Sequence, residues 1–307
     1  MKYGFAFFPG QGAQAPGMGR DLFDNSAAAR QVFEEASEGA GLNVASLCFD
    51  SDKATLSRTE NSQIAIFTHS MAALAALKEN GVTFQAVAGF SLGEYTALTA
   101  AGVVSLMDGI KIVAMRGKLM QQAADTTEGG MAAILGLSDD KIEAACAAVT
   151  DGIVLPVNYN CPGQLVIAGE KNALAQAIAN CKEVGARRAV PLAVSGAFHT
   201  PLMAKAAAEL RAYAQDFSFS SPKMDIYSNV DGEILSCTDF PAHLERHMIS
   251  PVRWTQLVRN GIAAGLSSAL EVGPGKTLTG FAGKIDKTLS CRAVSETADV
   301  LAAASVL

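Results

Sequence analysis

The stretch Ala86-Val87-Ala88-Gly89-Phe90-Ser91-Leu92-Gly93-Glu94-Tyr95 constrains this chain more than any other. The apolar residues before Gly89 read as a short buried strand, and those from Gly93 onward as a helix. A serine flanked by glycines two positions away on each side suits a sharp, strained strand-to-helix turn. Bulky residues at 89 and 93 would collide with the crossing backbone. Ser91 then stands at a helix N-terminus, where free N–H groups and the helix dipole favour negative charge. A glycine-rich turn merely capped by serine has the same spacing. The strand before and helix after favour a nucleophile, with the Leu92 N–H as a donor to a developing oxyanion.

Strand-like and helix-like stretches alternate along the chain, which predicts an α/β fold. Tyr3–Phe8 reads as a buried first strand, Ser26–Glu38 as a helix capped by Ser26, and Asn61–Glu79 as a long buried helix. Ala86–Phe90 is a strand, and Gly93–Ala101 and Ser105–Ala124 are helices. The polar break Thr126-Thr127-Glu128-Gly129-Gly130 changes the character of the chain. Strands at Met131–Leu137, Ile153–Asn158, Leu165–Ala168 and Arg187–Val194 alternate there with helices at Asp139–Val149 and Lys171–Val184. This β-α-β-β-α-β order predicts a small inserted ferredoxin-like domain over 127–195. The large domain then comprises 1–126 and 196–307, with a helix at Pro201–Gln215, short strands at Asp225–Asn229 and Ala269–Val272, and helices elsewhere.

Half of the 307 residues are hydrophobic and 18% are charged, which excludes a disordered chain. The net charge of −6 argues against general nucleic-acid binding, since that mode relies on basic surface. No apolar run reaches the length of a membrane span. The apolar start reads as a strand and not as a signal peptide. The six cysteines are scattered without Cys-x-x-Cys pairs, so free thiols in a reducing cytoplasm are expected, with no structural metal.

A serine nucleophile needs a base. The chain has four histidines: His69, His199, His243 and His247. His69 falls within an apolar helix and reads as a core or helix-surface residue. His243 and His247 lie four apart on one helix, a spacing that suits a metal pair; with no third ligand in view they read as a solvated face. His199 lies in Ser195-Gly196-Ala197-Phe198-His199-Thr200-Pro201, a strand-to-helix loop, and is the candidate base. Position alone equally allows it a helix-capping role.

Gly10-Gln11-Gly12-Ala13-Gln14-Ala15 fits a dinucleotide fingerprint. Pro16-Gly17 follows at once, so no helix can start where a pyrophosphate would need one. A loop that crosses beside the elbow and offers the Gln11 N–H as second oxyanion donor accounts better for the segment.

These residues together resemble the malonyl-CoA:acyl-carrier-protein transacylases and the related acyltransferases of polyketide synthesis. The landmarks run in order through Phe8-Pro9-Gly10-Gln11-Gly12, Gly89-Phe90-Ser91-Leu92-Gly93-Glu94, Met115-Arg116-Gly117, Val157-Asn158-Tyr159-Asn160-Cys161-Pro162-Gly163-Gln164, Gly196-Ala197-Phe198-His199, Ser250-Pro251-Val252-Arg253-Trp254 and Glu271-Val272-Gly273-Pro274-Gly275. The resemblance implies an α/β-hydrolase-like large domain with a ferredoxin-like insert. It implies ping-pong transfer of malonyl from malonyl-CoA through Ser91 to the phosphopantetheine thiol of acyl carrier protein in fatty-acid synthesis. His199 would be the base and no cofactor would be bound, coenzyme A being substrate and product.

Spacing alone makes Arg116 either a buried structural pair or a ligand anchor. The resemblance makes it the anchor for the malonyl carboxylate, which a guanidinium holds bidentately. Phe198 would disfavour branched acyl units. Two residues depart from the family pattern. Phe90 stands where a histidine usually precedes the nucleophile. His247 stands where relatives often have glutamine, at a position whose main-chain carbonyl orients the catalytic histidine. Asn160 reads either as pocket support or as a turn residue. The competing functions are a polyketide acyltransferase and a serine esterase or thioesterase with the same elbow. Lys182, Arg187, Arg188, Arg253, Lys284 and Lys287 are the candidate contacts for an acidic carrier protein, with solvated surface charge as the simpler role of each.

Overall fold

A computed structural model describes residues 1–194 and 196–305. The strands are β1 (Lys2–Phe8), β2 (Thr83–Gly89), β3 (Gly129–Leu135), β4 (Val154–Cys161), β5 (Gln164–Glu170), β6 (Arg188–Pro191), β7 (Asp225–Tyr227), β8 (Ser268–Val272) and β9 (Ser290–Val294). Five of them form a parallel sheet in the order β7-β2-β1-β8-β9, and four form a separate antiparallel sheet in the order β4-β5-β3-β6.

The central strand β1 is apolar throughout because helices cover both faces of its sheet; Phe5, Ala6, Phe7 and Phe8 are all fully buried. The helix Thr59–Glu79 is buried along nearly its whole length, so its apolar residues follow no single stripe. Ser26 caps the helix Ala27–Ala40 by accepting from the Ala29 N–H, and Ser105 caps Leu106–Thr126 through the Asp108 N–H.

The second sheet is laid down in the order β3, helix Asp139–Ala147, β4, β5, helix Lys171–Glu183, β6. Its hairpin turns at Pro162-Gly163, with Gly163 at φ 75°, so Asn160 and Cys161 belong to β4. The edge of β4 is stitched to the large sheet's side of the molecule. The Tyr159 N–H donates to the Val252 carbonyl (2.9 Å), and the Val252 N–H to the Val157 carbonyl (2.7 Å). The seam expected at Ser195 falls on a residue outside the described ones.

Three expectations are corrected in detail. The Pro201 helix opens as a 3-10 turn over Pro201–Met203 before the α-helix Ala204–Ala214. The strand expected over Asp225–Asn229 stops at Tyr227, because the N–H groups of Ser228 and Asn229 bond to the Glu233 carbonyl and the Glu94 carboxylate instead of a strand neighbour. Finally, β9 is a fifth parallel strand that the short run Ser290–Val294 did not announce.

Candidate active site

The sharp turn after β2 carries Ser91 at φ 51° and ψ −106°, a conformation that L-residues rarely adopt. Glycine is required on both sides for steric reasons. A side chain on Gly89 would overlap the main chain of Gly93 and Glu94, and one on Gly93 would overlap the Phe8 carbonyl. The helix Leu92–Ala100 begins directly after Ser91.

Ser91 Oγ lies 2.8 Å from His199 Nε2, and His199 Nδ1 lies 2.9 Å from the Ser250 carbonyl oxygen. A carbonyl can only accept, so the ring proton sits on Nδ1 and Nε2 is left to accept from the serine hydroxyl. Burial and then the charge of Arg116 push the His199 pKa down to about 4, against the pull of the Ser250 and His247 carbonyls. The imidazole is neutral at pH 7 and ready to take a proton. The Ser250 carbonyl accepts from Nδ1, and the His247 carbonyl, the one the resemblance implied, acts on the ring beside it; the helix Phe240–Ile249 ends just before Ser250, leaving that carbonyl free to face the ring.

Arg116, on the helix Leu106–Thr126, is 1% exposed. Its Nη1 donates to Gln63 Oε1 at 2.7 Å, its Nη2 to Ser91 Oγ at 3.2 Å, and the guanidinium lies over the Tyr95 ring, 4.8 Å from its centre. Nε has no partner. Among the described residues no carboxylate forms an ion pair with it, and Glu94 acts on it only at longer range. A buried guanidinium without a counter-ion costs on the order of several kcal/mol, and an anionic ligand beside Ser91 would offset that cost.

The N–H groups of Leu92 and Gln11 have no acceptor among the described residues, while the Ser91 N–H is taken by Asn229 Oδ1 at 2.7 Å. Gln11 is held beside the elbow because Gly10 packs directly on the Phe90 carbonyl and the Gln11 side chain donates to Thr59 Oγ1 at 3.2 Å. The segment from Gly10 to Gly19 contains turns and no helix start, as Pro16-Gly17 predicts.

Gln11, Phe90, Ser91, Phe198 and His199 line one cleft of about 440 Å³ between the two sheets, with Met131 of β3 and Leu192 just past β6. A second chamber of about 240 Å³ adjoins it, sharing Phe90, Gln11 and Asn158 and adding Asn160 and Phe281. Asn160 is thus a strand residue lining a cavity, with its Oδ1 unpartnered, and not a turn residue. Phe90 packs edge-on against Trp254, with ring centres 5.7 Å apart. Of the six basic candidates, Arg253 is half-buried and bonded to the Val230 carbonyl, and the other five are exposed.

His243 and His247 are corrected: they face inward and are 6% and 1% exposed. His243 Nε2 lies 2.7 Å from Glu94 Oε1, and His247 Nε2 lies 3.6 Å from Glu94 Oε2 and 3.4 Å from Asn229 Oδ1. The helix turns this pair toward a carboxylate that itself sits one turn past the elbow. His69, by contrast, is a core residue bonded to the Ser295 carbonyl. Sequence reasoning missed Gln63, Glu94, Asn229 and the Ser250 carbonyl. Only Glu94, a lone acid in the apolar start of the helix after Ser91, carried a visible signal.

A parallel sheet with a strained serine elbow, a neutral histidine within hydrogen-bond reach and open N–H donors defines an acyl-transfer site. The chain belongs to the acyl transferase domain family, whose sequence profile matches residues 6–298. It is 42% identical over 306 residues to the malonyl CoA-acyl carrier protein transacylase of Salmonella typhimurium (strain LT2), covering 97% of this chain and 98% of that one. The Bacillus subtilis (strain 168) protein of the same name is 39% identical over 292 residues, covering 94% and 92%. The crystal structure of an acyl carrier protein S-malonyltransferase from Vibrio cholerae superposes with a TM-score of 0.93 at 43% identity, covering 97% of this chain and 99% of that one.

Proposed function

We propose that this enzyme transfers malonyl from malonyl-CoA to the phosphopantetheine thiol of acyl carrier protein, for fatty-acid biosynthesis in the cytoplasm. The observation that carries the reading is the buried Arg116 guanidinium, unpaired by any described carboxylate and 3.2 Å from Ser91 Oγ. It suits an acyl group whose far end is a carboxylate. The names of the relatives support the same substrate and carrier.

In the first half-reaction Ser91 Oγ attacks the thioester carbonyl while His199 Nε2 takes its proton. The Leu92 and Gln11 N–H groups receive the developing oxyanion. Collapse expels coenzyme A thiolate, which recovers the proton from His199. In the second half-reaction His199 deprotonates the carrier thiol, the sulfur attacks the malonyl-serine ester, and Ser91 regains its hydroxyl. Ser250 accepts from Nδ1–H throughout. A neutral carbonyl in that place stabilises imidazolium less than a carboxylate does. Malonyl-CoA enters as substrate, coenzyme A leaves as product, and no resident cofactor is required.

We read the parallel sheet and its helices, 1–126 and 196–307, as the α/β-hydrolase-like unit and 127–195 as the ferredoxin-like one; the strand order β4-β5-β3-β6 supports the latter. Phe198 narrows the acyl pocket, while Phe90 and Asn160 line its neighbour. Among the described residues no helix is long and apolar enough to cross a membrane.

The test is intact-protein mass measurement after exposure to malonyl-CoA, then a chase with holo acyl carrier protein. Ser91 should gain one malonyl group and lose it to the carrier. Release as free malonate at the same rate without carrier would make the chain a hydrolase instead. Carrier proteins from fatty-acid and polyketide systems tested side by side separate those two transferase roles.

A further inference from the structure

We infer that Asn229 is a positioning residue that clamps the strained elbow from outside, and that Glu94 with His243 holds the clamp. This rests on the reading of Ser91 as the acylated residue. Asn229 follows β7, the strand beside β2, so its side chain reaches across the ends of two neighbouring parallel strands. Oδ1 accepts from the Ser91 N–H at 2.7 Å, and Nδ2 donates to the Gly89 carbonyl at 2.6 Å. One amide thus grips the main chain on both sides of Phe90, in the turn that holds Ser91 at a left-handed φ of 51°. A carboxylate has no proton to donate and cannot make both contacts, whereas the planar amide presents an acceptor and a donor side by side.

The clamp is itself anchored. The Asn229 N–H donates to Glu94 Oε2 at 2.6 Å, and the other carboxylate oxygen accepts from His243 Nε2 at 2.7 Å and Ser228 Oγ at 3.4 Å. Glu94, Asn229, Ser228 and His243 are all buried, so each group left without its partner would be costly. Because Glu94 rides on the helix that Ser91 opens, the ring of contacts closes on itself: elbow to Asn229, Asn229 to Glu94, Glu94 back to the elbow helix.

The arrangement has a consequence for the chemistry. With its own N–H committed to Asn229, Ser91 adds no donor to the oxyanion pocket. Catalysis there falls to Leu92 and Gln11, and Asn229 decides whether Ser91 Oγ sits between them and His199. Misplacing a reacting atom by about 1 Å costs on the order of 10²-fold in rate. No hydrogen bond joins the Gln63–Arg116 anchor to Asn229. Substrate affinity and chemical rate should therefore separate.

The experiment compares wild type, Asn229→Ala, Asn229→Asp and Glu94→Gln, with Ser91→Ala as blank. Ser91 acylation by malonyl-CoA is followed by quenched-flow mass measurement. In Asn229→Ala the maximal acylation rate should fall about 10²-fold while half-saturation shifts by less than about threefold. Asn229→Asp keeps the acceptor but loses the donor, and should fall about tenfold, as should Glu94→Gln. A maximal rate within about threefold of wild type in Asn229→Ala, or a loss confined to half-saturation, overturns the inference. If Asn229→Ala does not fold, Asn229→Asp is judged by the same two measures. Labelling of Ser91 by phenylmethylsulfonyl fluoride, which needs no malonyl recognition, should slow in parallel. It keeps the clamp testable even if wild type refuses malonyl, an outcome that sinks the transferase reading alone.

Discussion

Arg116 Nη2 and His199 Nε2 meet at the same atom, Ser91 Oγ, at 3.2 Å and 2.8 Å. The hydroxyl accepts from the guanidinium and donates to the imidazole. The charge that would hold the acyl carboxylate therefore also lowers the basicity of the His199 imidazole, since both groups are buried in one site. In the proposed mechanism this couples specificity and proton transfer electrostatically.

Replacing Arg116 with alanine should cut malonyl loading of Ser91 by about 10²–10³-fold, the weight of a charge-assisted bidentate contact with a buried carboxylate. Acetyl loading should persist or rise. Parallel mass measurements with malonyl-CoA and acetyl-CoA check this, and equal loss of both would make Arg116 a structural residue.

The pH profile follows from His199. Its pKa of about 4 means that the base stays neutral through mildly acidic conditions and is lost only as pH falls toward that value. Between pH 7.5 and about 5.5, kcat/KM should stay level, whereas a histidine at its ordinary value of about 6.5 would lose about tenfold. In Arg116→Ala the depressing charge is gone, so the acid limb should move to higher pH, read from phenylmethylsulfonyl fluoride labelling of Ser91.

Gly93→Ala should destabilise the protein by about 3 kcal/mol, because the new methyl overlaps the Phe8 carbonyl and backbone has to move. Thermal and urea unfolding measure the loss, and acyl loading should fall with it. An unfolding midpoint equal to wild type would contradict the steric account of the elbow.

Phe198 is buried beside His199 and lines the acyl cleft. Phe198→Ala should raise the ratio of methylmalonyl to malonyl loading by about tenfold, the worth of space for one methyl group. Competition between the two thioesters, read by mass, checks it. An unchanged ratio would place the discrimination elsewhere.

Much of this was legible in the chain. The elbow follows from local sterics, since Gly-x-Ser-x-Gly between a strand and a helix leaves few backbone solutions. The caps Ser26 and Ser105 and the alternation in the small unit are equally local. His199 stood out because a loop at a strand end is where polar groups gather. The inward turn of His243 and His247 was not legible. Their i, i+4 spacing fits a solvated face as well as a buried one, and the carboxylate they meet lies about 150 residues away in the chain.

The sequence by itself determined the α/β alternation and the strained serine turn that presents Ser91, because each depends on neighbours a few positions apart. Tertiary structure alone decided which side chains meet. It brought His199 onto Ser91 across 108 residues and Asn229 onto the elbow across 138. It also buried Arg116 away from every described carboxylate pair and chose the Ser250 carbonyl to orient the base. Partners at such separations are set by sheet order and helix packing, and no local pattern carries that information.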